Sequence, residues 1–261
     1  MFSEQFSFGG RALVNFVGGG GKTGLILTLL REKSSGIVVY STTTRMHPPH
    51  PADGLTVLVC DELALFKIML ERAARTLGDR FNRYVIAHSA MDAHLLRGVD
   101  PRFARTLDRN LFPLILNEAD GARSMSLKMP REDEPVLMEN ADFLVPVIGM
   151  DIIGKPLGPQ ILFRWDLATS RYGIKEGEIL TPELAASLLM HPRGVCKDWK
   201  HGMRIIPFVN KADTEVDEIL ARDLSGALLR NPNFPVERVV WGSLFAGKAF
   251  SMPSHFCGMD Q

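Results

Sequence analysis

Three short stretches carry residue types and spacings suited to phosphate and purine chemistry. The first is VGGGGKT at residues 17–23, behind an apolar run and ahead of helix-forming composition. A turn from strand into helix leaves backbone N–H groups without intrahelical partners, and the helix dipole adds partial positive charge there. Gly18, Gly19, Gly20 and Gly21 would let that backbone curl round a phosphate without Cβ clashes. Lys22 would bring a point charge to the outer phosphates, and the Thr23 hydroxyl would ligate Mg²⁺. The second stretch is LILNEADG at residues 114–121, where an apolar run ends in Glu118 and Asp120. A carboxylate at the tip of a strand beside a phosphate turn can hold Mg²⁺ directly or through water. Asp120 is the favoured metal residue, with Glu118 a second ligand or the group that orients water. The third is Asn210-Lys211-Ala212-Asp213, after the apolar IIPFV. An ionised Asp213 offers only acceptors, which match the adjacent imino and amino donors of guanine. Adenine presents an acceptor at the imino position, so the pairing would fail there. The Lys211 stem would lie along the base, and Asn210 would tie this loop to the phosphate turn.

Each stretch also has a plain structural alternative: a flexible glycine turn, an acidic strand exit, a capped helix entrance. Their joint occurrence favours the chemical reading. The full P-loop pattern wants a glycine six residues before the lysine, and that position holds Phe16. The turn is closer to the shortened G-x-x-G-K-T of the Mur ligases, while NKAD resembles the N-K-x-D by which regulatory GTPases read guanine. GTP is therefore favoured as ligand, with ATP left open. Residues 41–44, STTT, would place a hydroxyl near the metal or simply end a strand. His47 and His50 are spaced as a metal pair, but with proline between them and no third ligand they read as a solvated turn. Lys128, Arg131, Glu132 and Glu134 could bind a substrate or form a switch, but charged loops are usually solvated, which is the expectation here. Arg45, Arg123 and Arg164 are candidates for an arginine finger.

These residues need a frame. Apolar runs at 12–17, 37–41, 55–60, 83–88, 113–118, 142–149, 203–210 and 237–242 predict eight strands. Continuous Val, Ile and Leu rather than strict alternation predicts strands covered on both faces, with helices between them. Helices are expected over 23–32 and from an Asp61 cap to about residue 76. Thr181-Pro182 and Thr214 with Asp217 mark two further helix starts. The expected fold is α/β, a doubly wound and mostly parallel sheet of P-loop NTPase type with a helical and loop insertion. A single domain is expected over residues 1–242, with the insertion at about 150–203 as a subdomain or lid, a polar loop at 119–140, and a weakly patterned tail over 243–261.

Composition sets the limits. The 261 residues carry 30 Lys and Arg against 30 Asp and Glu, which removes the basic field that sequence-independent nucleic-acid binding needs. Hydrophobic residues at 46% can build a sizeable core, and no apolar run approaches the roughly 20 residues of a membrane span. Three cysteines lie far apart with no C-x-x-C, and the first residues lack a secretory pattern. A soluble protein of the reduced cytoplasm, binding neither nucleic acid nor membrane, is the expectation.

In order along the chain, FVGGGGKT, STTTRMHPP, NEADGARSMSLKMPREDEPV, GMDIIGKPL, TPELAASLLMHPRGVCKD and VNKAD together resemble the YqeC family. The resemblance runs from about residue 8 to about 242. It implies a P-loop NTPase-like accessory protein in selenium and molybdenum cofactor handling, with a molybdenum hydroxylase or its cofactor as partner. The family's E-A-D-G-A block is matched in full by residues 118–122, while Arg45, Arg123 and Ser126 replace its usual Lys, Lys and Pro. Three readings follow: an Mg²⁺-dependent nucleoside triphosphatase preferring GTP, a nucleotide-dependent transferase activating a small substrate, or a nucleotide-gated chaperone with little hydrolysis of its own.

Overall fold

A computed structural model describes residues 1–33, 36–77 and 83–254. A short helix α1 (Phe2–Phe6) precedes β1 (Ala12–Gly18) and α2 (Lys22–Glu32). Then come β2 (Val38–Thr42), β3 (Arg45–Met46), β4 (Thr56–Val59), α3 (Leu63–Leu77), β5 (Arg83–Ala87), β6 (Ser89–Asp92) and β7 (Leu95–Arg97). The middle of the chain supplies β8 (Leu114–Glu118), β9 (Leu127–Lys128), β10 (Phe143–Gly149), β11 (Leu162–Phe163), α4 (Trp165–Tyr172) and α5 (Pro182–Leu189). The last part holds β12 (Arg204–Ile205), β13 (Phe208–Asn210), α6 (Glu215–Leu229), β14 (Arg238–Ser243) and β15 (Lys248–Pro253).

The main sheet runs β15-β14-β13-β10-β1-β8-β2-β5-β4, parallel throughout except for β15, with β12 joining β10. The chain leaves β1 towards β2, β4 and β5, returns to β8 beside β1, and only then crosses to β10, β13 and β14. The direction of winding therefore reverses at β1. In open α/β sheets the crevice beyond the carboxyl ends of the strands at such a reversal is where ligands settle. Alternate residues of β1 serve opposite faces. Val14 and Phe16 pack with Leu25, Ile26, Leu29 and Leu30 of α2, whereas Leu13 and Val17 face the layer built from α3, α5 and α6. All seven β1 residues are buried, the pattern of a central strand covered on both sides.

Several expectations shift. The 55–60 strand becomes β4, the edge of the sheet, so Val57 and Val59 are exposed rather than doubly covered. Helix α3 begins at Leu63, one residue too late for Asp61 to cap it. The 150–203 insertion is not a detached lid: Ile152, Leu157, Leu162, Leu180 and Leu189 share one core cluster with Leu144, Ile148 and Val209 of the sheet. Part of the 243–261 tail forms β15, paired residue for residue with β14, while 255–261 lie outside the described residues. An edge strand with one neighbour needs no apolar alternation, which hides it from periodicity. No helix among the described residues is long and apolar enough to cross a membrane.

The 119–140 stretch also departs from a solvated loop, because a polar anchor in β1 draws it inward. Asn15, fully buried, accepts from the Asn117 amide at 2.7 Å and from the Met138 N–H at 3.0 Å, and donates to the Met138 carbonyl at 3.0 Å. Asn15→Ala is expected to strand these buried groups and cost about 2–3 kcal/mol. A urea midpoint within error of the parent protein would contradict that.

Candidate functional site

Strand β1 ends where the four glycines begin, and neighbouring backbone explains why no side chain fits there. A Cβ on Gly18 would lie 2.5 Å from the Val147 carbonyl oxygen, on Gly19 2.4 Å from that of Met125, and on Gly20 2.3 Å from the Gly149 nitrogen. The inner part of the turn is saturated by the chain itself. Gly18 N–H donates to both oxygens of Asp120 at 3.1 Å, Gly19 N–H to Val147 O at 3.0 Å, and Gly20 N–H to Met125 O at 2.9 Å. Further on, the N–H groups of residues 21–24 meet no acceptor among the described residues; the first helical bond is Leu25 N–H to Gly21 O. The unspent donors of this corner thus lie in the first turn of α2, where orphan amides and the helix dipole coincide.

The two acids take different stations. Asp120, fully buried, lies 3.1 Å from the Lys22 ammonium and 3.0 Å from the Lys128 ammonium. Glu118 accepts from the Thr23 hydroxyl and the Tyr40 hydroxyl, each at 2.9 Å, and stands 3.8 Å from Lys22. Burial, then the nearby Glu118 charge, pushes the Tyr40 hydroxyl well above its ordinary pKa, so Tyr40 remains a donor. The residue expected to hold Mg²⁺ beside Thr23 was Asp120; the neighbour the structure gives Thr23 is Glu118. Lys22 also donates to the Gly18 carbonyl.

Lys128, expected in a solvated loop, is 1% exposed. Its ammonium bridges Asp120, the Gly121 carbonyl at 2.8 Å and Glu134 at 2.8 Å, and Glu134 continues to Arg164 through two hydrogen bonds. A buried ammonium is tolerated only when paired and hydrogen-bonded, and this one has both. Burial pushes the Glu134 carboxyl up, but hydrogen bonds from Arg164 and Lys128 outweigh it and hold the group at about 2.

On the other side of β1 the NKAD loop is joined to the glycine turn. Asn210 donates to the Gly20 carbonyl at 2.7 Å and accepts from the Leu244 N–H at 3.2 Å. One side chain therefore ties the glycine turn, the end of β13 and the loop after β14. Asp213 accepts a hydrogen bond from Ser243 Oγ, which itself accepts from Ala246 N–H at 2.9 Å. Lys211, with left-handed backbone at φ 64°, sends its ammonium to Ser126 and Asp151, each at 2.8 Å. Burial raises the Asp151 carboxyl, but hydrogen bonds from Lys211 and Ser126 bring it below its usual range. The Ser126 hydroxyl donates to Asp151 at 2.6 Å, a contact that a proline there could not make.

A cavity of about 510 Å³ opens over the glycine turn, lined by Gly21, Lys22, Thr23, Glu118, Arg45 and Lys211 among others; of the NKAD box only Lys211 reaches it, while Asn210 and Asp213 lie outside its lining. His47 also lines it but bonds to the His94 carbonyl, and His50 caps its own turn; no cluster of three metal-type side chains occurs among the described residues. Sequence reading missed Ser243, Leu244 and Asp151. Ser243 and Asp151 each carry a signal, a polar group leaving an apolar strand, though Gly149-Met150-Asp151 reads from sequence as turn chemistry.

The family model described as "YqeC protein" matches residues 14–166. The YqeC protein of Escherichia coli (strain K12) is 30% identical over 203 residues, spanning 76% of this chain and 75% of that protein. No solved structure matches the chain.

Asp120→Ala would leave Lys22 and Lys128 buried and underpaired, an expected loss of about 3–5 kcal/mol by denaturant unfolding. Glu134 adds a pH signature. Its folded pKa lies below the ordinary 4.5, so its contribution is complete above that pH and is lost as pH falls towards 2. The stability gap between the parent protein and Glu134→Gln should therefore shrink across that window. A gap that stays constant from pH 5 to 2.5 would refute it.

Proposed function

The chain belongs to the YqeC family, and we propose that it is an Mg²⁺-dependent guanine-nucleotide-binding protein, a nucleoside triphosphatase, whose nucleotide state serves maturation of a metalloenzyme cofactor. The phosphates rest on the free amides at the start of α2. Lys22 then turns from the Gly18 carbonyl to the outer phosphate oxygens. Magnesium, which takes hard oxygen ligands in a tight octahedron, fits Thr23 and Glu118 with phosphate oxygens and water completing the set. Asp120 acts at one remove by holding Lys22 in place. Hydrolysis would rest on positioning and charge neutralisation, since phosphoryl transfer asks little covalent chemistry of a protein.

The observation that carries this reading is the Asn210 bridge. Its bonds to Gly20 and Leu244 fix the distance between a phosphate corner and a base loop, as a ligand with both ends requires. Ser243 orients Asp213 through one oxygen, whose remaining lone pair, with the other oxygen, is left for guanine's two donors. The Lys211 stem, drawn out by Ser126 and Asp151, provides an apolar rail along the cavity wall. As an accessory protein for a molybdenum hydroxylase or its selenium or molybdenum cofactor, the chain would couple this nucleotide to a partner that completes the site.

Calorimetric titration with GTP, ATP and XTP tests the base assignment. The parent protein should bind GTP at least tenfold more tightly than ATP. Asp213→Asn should lose about 10- to 100-fold in GTP affinity, roughly 1.4–3 kcal/mol, and gain XTP, because xanthine shows a carbonyl where guanine has its amine. Lys22→Ala should abolish binding of both triphosphates. Tighter ATP than GTP, with Asp213→Asn silent, would overturn the guanine reading; nucleotide binding unchanged by Lys22→Ala would overturn the phosphate site.

A further inference from the structure

Beyond Gly121 a second chamber of about 730 Å³ adjoins the first, and Arg45 and Arg123 line both. Its walls also carry Arg97, Arg131 and Arg164. The acidic side chains that could neutralise them are mostly committed elsewhere. Glu134 is taken by Lys128 and Arg164, and Asp100 by a bidentate pair from Arg102. Asp133 is the one lining carboxylate that makes no hydrogen bond or ion pair among the described residues. Against it stand Arg45, Arg97, Arg123 and Arg131, whose guanidinium groups meet no carboxylate among the described residues. The chain as a whole is neutral, so this is a local surplus of positive charge inside a concavity, where field lines concentrate.

The backbone gives an independent observation. Six non-glycine residues have positive φ among the described residues, and four of them line the two chambers: Arg123 at 48°, Ser124 at 63°, Arg164 at 65° and Lys211 at 64°. Such conformations cost free energy and persist where the surroundings hold a side chain in a required place. Here the result is that Arg123 and Arg164 both lie over the Phe163 ring, 5.4 and 4.8 Å from its centre. The Arg164 fork is spent on Glu134, so stacking on Phe163 leaves the Arg123 fork as the one presented to a ligand. The buried Nε of Arg164 has no partner and lies on the same wall.

We propose that this chamber is a binding site for a second ligand, a small phosphate-bearing molecule held by Arg45, Arg97, Arg123 and Arg131. Guanidinium forks match phosphate oxygens two by two, and the volume suits a ligand of small-molecule size. The shared wall of Arg45 and Arg123 sets that phosphate next to the Lys22 end of the first cavity. The site stands on its own residues and does not require that the first cavity hold a guanine nucleotide.

Pyrophosphate serves as probe, with citrate as the carboxylate control, in calorimetric titrations at low ionic strength. Lys22→Ala protein should still bind one pyrophosphate. Adding Arg97→Gln and Arg131→Gln should weaken that binding tenfold or more, and raising salt should weaken it several-fold. If Lys22→Ala does not fold, the parent protein and the Arg97→Gln/Arg131→Gln variant give the same comparison, two pyrophosphate sites against one. A parent protein whose pyrophosphate binding is the same with and without Arg97→Gln/Arg131→Gln overturns the proposal, whatever the number of sites; citrate bound as tightly as pyrophosphate overturns its assignment to phosphate. GTP affinity is expected to be unchanged in Arg97→Gln/Arg131→Gln. If the parent protein bound pyrophosphate in the chamber but no GTP, the nucleotide reading alone would fall.

Discussion

A buried carboxylate shared by two ammonium groups organises this molecule. Asp120 receives Lys22 from the start of α2, Lys128 from the 119–140 segment and the N–H of Gly18 from the end of β1. Two stretches far apart in sequence, the corner holding Gly18 and Lys22 and the segment from Asp120 to Lys128, thus meet on one group that would be costly to leave unpaired. Truncating any member exposes the others to the interior, so the arrangement is cooperative. The same knot explains why a polar segment is folded against the sheet. Lys128 must reach Asp120, and it carries Ser126 and Glu134 with it. Ser126 then meets Asp151 and Lys211, and Glu134 meets Arg164. The walls of both chambers include residues from this network, Glu134 and Arg164 in the larger and Lys22 and Lys211 in the smaller.

Sheet topology places the knot where it can matter. β1 lies between β8 and β10, so Asp120 on one flank and the Gly149-Met150-Asp151 turn on the other are brought to the same carboxyl edge. β13 lies next to β10, which sets Asn210 within reach of Gly20 without any long loop. Parallel neighbours with short exits deliver their polar termini to one crevice, whereas an antiparallel arrangement would send alternate termini to opposite edges.

The parts legible in sequence were those with local signals. Apolar runs gave the central strands to within a residue or two: β1 against 12–17, β8 against 113–118, β10 against 142–149. The Thr214 capping box is present in full, with Asp217 in the usual place of Glu. What stayed hidden depends on neighbours distant in the chain. Nothing in LKMPREDE distinguishes a solvated Lys128 from a buried one, because the deciding partner is Asp120. The β4 run is as apolar as an interior strand, and only its place at the sheet edge exposes Val57 and Val59. The pairing of Thr23 with Glu118 rather than Asp120 arises because strand alternation stops at Glu118, the last residue of β8. Residues two apart should share a face, but Asp120 lies beyond the strand and turns beneath Gly18.

Four glycines in a row admit two explanations, and the geometry shows they are not rivals. Gly18, Gly19 and Gly20 are excluded from bearing a Cβ by the backbone of β10 and of residues 125–127, and their amides are spent on that packing and on Asp120. This close approach is a condition for everything beyond it. It locks the turn to both flanking segments, so that Gly21, at φ 125°, can release the chain into α2 with its next amides pointing outward together. A corner that spent every amide on itself would be stable and inert; one that spent none would be too mobile to aim Lys22. Dividing the turn into a fixed inner half and an open outer half reconciles rigidity with capacity for an anion. The division falls at the residue whose carbonyl Asn210 grips, so the NKAD loop is anchored to the last fixed point before the open amides.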